Sequence, residues 1–299
     1  MSIATRFRAY QLEANGSLFS YYKPHHFTLV EARVPKAGLN AIGHELAACG
    51  KQVIDTLHIT SWDQDHCNYK DLVEILHRYR PSQIQYPAYV PDTDNGRLCR
   101  DLIINSNALL PVTRNIEALD AGFYQKLVPA DAYGTEDIYY CPDLNSDNKN
   151  NRSSMKLFRS GGFSVLSLGD VESPDIAARI LRSEAIRKEV DVLVLPHHGA
   201  DNGFISDDFL KAVKPHIAVS TSDWGNVFGH PKPEVRQMLR NNDVELMTSK
   251  EGDVFITQEA GRNTAIAVDF DQNGQHVQKQ KEFLPKRVLH LLAEPARFA

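Results

Sequence analysis

Cysteine is scarce and unpaired in this sequence. Its four cysteines, Cys49, Cys67, Cys99 and Cys141, form no C-x-x-C pair and no disulfide-framework spacing, which points to a reducing compartment. Long apolar runs are missing too, as is an opening charged segment followed by an apolar one. The expectation is a cytoplasmic protein without a membrane anchor. There is no excess of basic charge: 33 Lys and Arg face 38 Asp and Glu, a net charge of −5 with His neutral. That balance argues against a surface-wide grip on nucleic acid, while leaving room for a local basic groove. Internal repeats and low-complexity tracts are absent. What is present is ordinary globular composition, 42% apolar and 24% charged, over 299 residues. That length fits one two-layered domain, or one domain with an insertion, and is ample for a full core.

Alternating apolar residues predict strands at 7–13, 18–22 and 27–34, with turns at Asn15-Gly16 and Lys23-Pro24. A helical pattern over 39–48 stops at Gly50, and 53–60 reads as a buried strand. The 69–79 segment places Leu72, Val73, Ile75 and Leu76 on one face and ends before Pro81; a short strand follows at 82–86. From 87 to 151 Pro, Asp, Asn and Gly dominate, with one helix around 98–108. This stretch is read as an insertion over the site mouth, either a substrate lid or a plain surface excursion. A hairpin over 155–168 turns on Gly161-Gly162, and strands follow at 191–195 and 216–220. Helices are expected at 174–187, 207–213 and 233–239, and strands at 244–248, 254–257 and 264–270 close the second sheet. Beyond Asp271 a polar, basic tail ends in the apolar piece 288–292, able to pack on the core or a partner, or to stay loose.

The chemistry concentrates at strand ends. The 53–60 strand runs straight into Ser61-Trp62-Asp63-Gln64-Asp65-His66. Two carboxylates so close repel each other, and a cation removes that cost, so Asp63, Asp65 and His66 can converge on one or two metal ions. The alternative is a solvated loop with Asp65 capping the next helix. Three further strands end at Gly169-Asp170, at Pro196-His197-His198-Gly199 and at Gly229-His230-Pro231. Loops at strand ends are where such folds build sites. Asp and His donors without thiolates suit Zn²⁺, Mn²⁺ or Fe²⁺ rather than Cu⁺. Adjacent histidines do not easily point the same way, so one of His197 and His198 ligates and the other takes a supporting role. Cys67, next to His66, is either part of the site's surroundings or a small buried apolar residue. Arg152, Lys156 and Arg159 offer positive charge for a phosphodiester, or a solvated face.

The order D-x-D-H, G-D-V-E, P-H-H-G, G-H-P-x-P-E resembles the metallo-β-lactamase-fold hydrolases, most of all the hydrolase domain of ComEC-type competence DNA-uptake proteins, with phosphorylcholine esterases as cousins. Asn150-Asn151-Arg152-Ser153 and the 248–252 segment match the same branch. The resemblance implies an α/β fold: a metallo-β-lactamase-like αββα sandwich of two mixed sheets with helices on the outer faces. The hydrolase domain would span 1–270, with the insertion at about 87–151 and a C-terminal tail at 271–299. Asp65, His66, Asp170 and one of His197/His198 would hold one tight metal ion, Zn or Mn. Asp63 and a bridging Asp170 would hold a second, weaker one. Asp65 and His230 carry the implied catalytic roles. His230 would contact a phosphate or assist the leaving group; a helix-capping His is the alternative. Asn151 and Ser153 would orient the substrate or the bridging loop. One position departs from the family: its motif opens with histidine where this chain has Ser61, and a hydroxyl is a poor zinc ligand. The second site should therefore be oxygen-rich and tolerant of Mn²⁺ or Mg²⁺. The implied function is phosphodiester hydrolysis by a nuclease or nucleotide phosphodiesterase. A phosphorylcholine-type esterase would need an aromatic box, for which Trp62, Tyr86, Tyr89, Trp224 and Phe228 are the candidates. A non-catalytic, degenerate binding subunit is the third reading. The substrate would be nucleic acid or a nucleotide, with the tail or the insertion available to a protein partner.

Overall fold

A computed structural model describes residues 3–109, 113–223, 225–271 and 273–293. In chain order the first strands are β1 (Thr5–Ala9), β2 (Phe19–Lys23), β3 (His26–Val30), β4 (Thr56–His58), β5 (Gln83–Pro87), β6 (Asn115–Leu119) and β7 (Ile138–Tyr140). Then follow β8 (Met155–Phe158), β9 (Val165–Ser167), β10 (Val192–Val194), β11 (Ile217–Ser220), β12 (Glu245–Thr248), β13 (Val254–Gln258), β14 (Ala265–Phe270) and β15 (Val277–Phe283). They form a nine-stranded sheet, β15-β14-β13-β1-β2-β3-β4-β5-β6, and a six-stranded sheet, β12-β11-β10-β9-β8-β7. Each is mixed. The first is antiparallel up to β3 and parallel from there; the second is parallel from β12 to β9 and antiparallel beyond.

The period-two rule sorts the side chains into layers. Val192 and Val194 of β10, with Ile217 and Val219 of β11, join Phe7, Phe19 and Val30 of the other sheet in an inter-sheet core. Leu193 and Ala218, one residue out of step, face the opposite layer. Strands buried on both faces read as continuous apolar runs, as 191–195 does. Helices α1 (Lys36–Ala48), α2 (Tyr69–Arg78) and α3 (Asp94–Leu109) cover the first sheet. Helices α5 (Pro174–Ile180), α6 (Glu184–Glu189), α7 (Asp207–Val213) and α8 (Pro233–Asn241) cover the second, while α4 (Ala121–Gln125) follows β6. The architecture is the expected αββα sandwich. A buried polar tie joins the sheets: Ser154 Oγ lies 2.9 Å from His58 Nε2, and Gln85 Oε1 lies 3.1 Å from His58 Nδ1. Burial first, then nearby Lys156, pushes the His58 imidazole down to about 3, so it serves as a neutral hydrogen-bonding group.

Several local expectations are corrected. Much of the 87–151 stretch is woven into both layers, α3 packing on the first core, β6 extending one sheet and β7 the other. Edge strands bury little, and β6 buries only Leu119, so its apolar signal was weak. The late strands divide, β12 joining the second sheet and β13 and β14 the first. The tail continues the first sheet as β15, and its apolar end lies within α9 (Lys286–Ala293). The 174–187 helix is two helices, α6 starting afresh after Ser183. Asn68, not Asp65, caps α2, its side chain accepting from the Lys70 and Asp71 amides.

Candidate metal centre

Three segments meet at one end of the sandwich seam. After β4 the chain turns so that His66 is buried and Asp65 half-exposed. After β9, Gly169 adopts φ +55°, and a Cβ there would stand 2.7 Å from the Ser153 Cβ, so the turn that delivers Asp170 requires glycine. After β10, His197 and His198 both take left-handed backbone angles (φ 46° and 56°). For residues with a Cβ this costs about 1–2 kcal/mol each, and such strain clusters at functional sites. The double turn sends the two rings apart, His198 into the cluster and His197 toward Glu172.

One ligand atom each from Asp65, His66, Asp170 and His198 lie within 4.8 Å of one another. His66 Nε2 is 2.8 Å from Asp170 Oδ2, and His198 Nε2 is 3.4 Å from Asp65 Oδ2 and 3.9 Å from Asp170 Oδ1. The edge of a zinc tetrahedron with ~2.05 Å bonds is roughly 3.3 Å, so these spacings bracket what one ion needs. The far nitrogens are committed elsewhere: His66 Nδ1 lies 3.0 Å from Glu31 Oε1, and His198 Nδ1 donates to the Thr221 carbonyl at 2.8 Å. That leaves each Nε2 facing the carboxylates, where it would offer a lone pair to an ion bound between them. Both Nε2 atoms are buried and face only carboxylates of the same cluster. The four side chains fit a divalent ion.

Electrostatics agree with the geometry. Burial opposes charge on His66, but the Asp170 and Glu31 carboxylates hold its pKa well above the ordinary imidazole value. His198 is likewise raised against its burial by Asp65 and Asp170. Burial works against ionised Asp65, yet the hydrogen bond from His198 and the charge on His66 keep its carboxyl below its usual range. The carboxylates thus hold protons on the two imidazoles, and a cation bound between them would replace those protons.

The other expected residues are distributed around this cluster. Asp63 stays outside it, its Oδ1 lying 2.9 Å from Lys149 Nζ. Ser61 Oγ is 3.3 Å from the Tyr89 hydroxyl and accepts from the Asp63 amide at 3.3 Å. His197 Nδ1 sits 2.6 Å from Glu172 Oε1, which settles His198 as the histidine of the cluster. Asn151 Oδ1 accepts from the Glu172 and Ser173 amides, fixing the loop after Asp170. Ser153 Oγ is buried without a partner. His230 is buried, its ring 5.7 Å from that of His197, with Nδ1 unpartnered. Burial, then His198 and His197, pushes its pKa down to about 4, so it is neutral at pH 7. It caps no helix; Lys232 stands at the cap position of α8.

Two sequence readings change, and Cys67 takes the second of its two alternatives, a small buried residue. Lys156 and Arg159 are buried in ion pairs with Asp137 and Glu189, at 3.2 and 2.9 Å, and offer no surface charge. Cys67 is buried beside Cys99, which donates to the Cys67 carbonyl, and lies outside the cluster. No aromatic box forms among the described residues. Trp62 packs on Tyr86 in the core, Phe228 stacks on His230, and Trp224 lies outside the described residues. Sequence reasoning missed Glu31. Buried, with φ 75°, it accepts from the Thr60 amide at 3.1 Å and from the Thr60 hydroxyl, besides facing His66. Its only sequence signal is an acid closing an apolar strand.

No family model matches the chain. Over 98 residues it is 31% identical to competence protein ComA of Neisseria gonorrhoeae, a stretch covering 33% of this chain and 14% of that protein. Among solved structures it is similar to the β-hydroxylase CmlA, with TM-score 0.48 and 13% identity over 86% of this chain and 54% of that one. It is also similar to Igni18, a metallo hydrolase of Ignicoccus hospitalis, with TM-score 0.43 and 11% identity over 85% and 99% of the two chains. The chain thus spans about half of CmlA and a small part of ComA. No helix among the described residues is long and apolar enough to cross a membrane. The chain is an αββα sandwich whose run of Asp and His residues is similar to that of the metallo-β-lactamase-fold hydrolases.

Proposed function

We propose that this protein is a metal-dependent hydrolase that cleaves phosphodiester bonds, with a nucleotide or single-stranded nucleic acid as substrate. The carrying observation is the convergence of Asp65, His66, Asp170 and His198 on one ion-sized space. A bound divalent ion would lower the pKa of a water molecule toward ~7 and offset negative charge developing on the substrate. Asp65 is the most exposed of the four and stays ionised, so it accepts the proton of the attacking water. Glu31 and the Thr221 carbonyl hold the two imidazoles in their binding tautomers. Neutral His230, with Nδ1 free of protein partners, hydrogen-bonds a substrate oxygen or the leaving group. The motif resemblance to competence DNA-uptake hydrolases, beside the partial likeness to competence protein ComA, supports the phosphodiester class. With Lys156 and Arg159 buried, a short substrate read at the site suits the chain better than a long polyanion.

The test is metal analysis of the purified protein, coupled to bis(p-nitrophenyl)phosphate turnover with Zn²⁺, Mn²⁺ and Mg²⁺. A chain that takes up no ion, or that turns over lactams or thioesters and no phosphodiester, would end this reading.

A further inference from the structure

The D-x-D-H string has carboxylates enough for two cations, yet only Asp65 of the pair enters the ion-sized cluster. Asp63 faces a cation that the chain itself supplies. Lys149 Nζ lies 2.9 Å from Asp63 Oδ1 and 3.5 Å from Asp92 Oδ1. We propose that the ammonium of Lys149 is the second cation of this site, so that the centre binds a single metal ion per chain.

The inference rests on the metal-centre reading and adds its stoichiometry. Three observations carry it. First, Lys149 is delivered by a braced turn. Asn148 accepts from the Asn150 amide at 3.0 Å, and the Asn148 and Asn150 side-chain amides donate to the two oxygens of Glu172 at 2.6 and 3.1 Å. Glu172 follows Asp170 by two residues and also holds His197, so the Lys149 turn is fixed to the loop that provides the cluster's central carboxylate. Second, apart from the Asp63 and Asp92 carboxylates that Lys149 occupies, the donors near Asp63 are engaged elsewhere. Ser61 Oγ is engaged by the Tyr89 hydroxyl and the Asp63 amide, and His197 is taken by Glu172. Third, Asp63 and Asp92 come from separate loops, and the ammonium between them offsets their repulsion as an ion would. A metal entering there would have to expel a tethered charge that has no other acidic partner among the described residues.

The experiment is titration of the full chain with Mn²⁺ and with Zn²⁺, read as bound metal per protein by elemental analysis and, for Mn²⁺, by electron paramagnetic resonance. Wild type should saturate at one ion. Lys149→Met, which removes the charge and keeps the length, should expose Asp63 and Asp92 and take up a second ion. Lys149→Arg should stay at one, and serves as the control for a folded, charged site. Two ions on the wild type, or one on a folded Lys149→Met, would overturn the inference while leaving the metal centre intact. A wild type that binds none would instead overturn the centre itself.

Discussion

Replacing Glu31 tests whether the site is built as described. Its carboxylate sits in the interior and takes three donors: the Thr60 amide, the Thr60 hydroxyl and His66 Nδ1. Glu31→Ala removes every acceptor at once. The Thr60 hydroxyl oxygen, 3.4 Å from His66 Nδ1, can accept from the imidazole, but the Thr60 amide and the hydroxyl's own hydrogen are left buried and unpaired. At about 1–3 kcal/mol per orphaned buried donor, the metal-free protein should lose on the order of 4 kcal/mol. That is a large part of a typical total of about 5–15 kcal/mol. Glu31→Gln keeps the shape and one acceptor oxygen and should lose about 1–2 kcal/mol. Both changes free the His66 ring to rotate, so metal affinity should fall about 10–100-fold even where the fold survives. Urea unfolding of the metal-free protein gives the first number, and chelator competition for Zn²⁺ gives the second. If folded Glu31→Gln binds Zn²⁺ within about threefold of wild type, Glu31 does not position His66, and the tautomer argument fails.

Asp170→Ala removes the carboxylate that faces both imidazoles, and should lower metal affinity by more than the roughly 100-fold expected of a supporting residue; retention of metal after dialysis would refute its role. Because carboxylates raise His66 and His198, protons compete with the ion, so metal affinity measured by titration should fall as pH drops below neutrality, with protons released on binding. Ser61→His should not add a second ion while Lys149 holds Asp63; a stoichiometry of two would show that the missing imidazole alone was limiting. Burial raises the Asp191 carboxyl to about 7, so the folded state holds a proton the unfolded chain has lost. Stability should therefore decline as pH rises from about 4 to 7, by on the order of 4 kcal/mol. Asp191→Asn should flatten that slope in pH-dependent unfolding.

Much of the site was legible because it lies in contiguous strings. Asp65-His66, Asp170 and His197-His198 each follow an apolar run that had to be a strand, and strand ends converge. The choice between adjacent histidines was not legible, since it depends on which ring Glu172 captures. Nor were the partners of Asp63, because Lys149 approaches from 86 residues away in a polar stretch without periodicity. Lys156 and Arg159 misled for a related reason: charged residues in a strand read as exposed unless their acids, Asp137 and Glu189, are known to meet them inside. The fold's outline was read from period-two strands, while β6, β7 and β15 escaped because edge strands bury few side chains.

The cluster draws one pair of residues from the first sheet's loops and the other pair from the second's. Asp65 and Asp170 are 105 residues apart in the chain, so the ligands meet only after the two halves have docked. Contacts of such sequence separation form slowly. An ion bound there would find no complete site on the nascent chain and would be captured at the end of folding. Once held, it would act as a clasp across the seam, and separating the halves would require giving it up. If the site is filled, metal supply should set how long the protein survives unfolding stress and proteolysis.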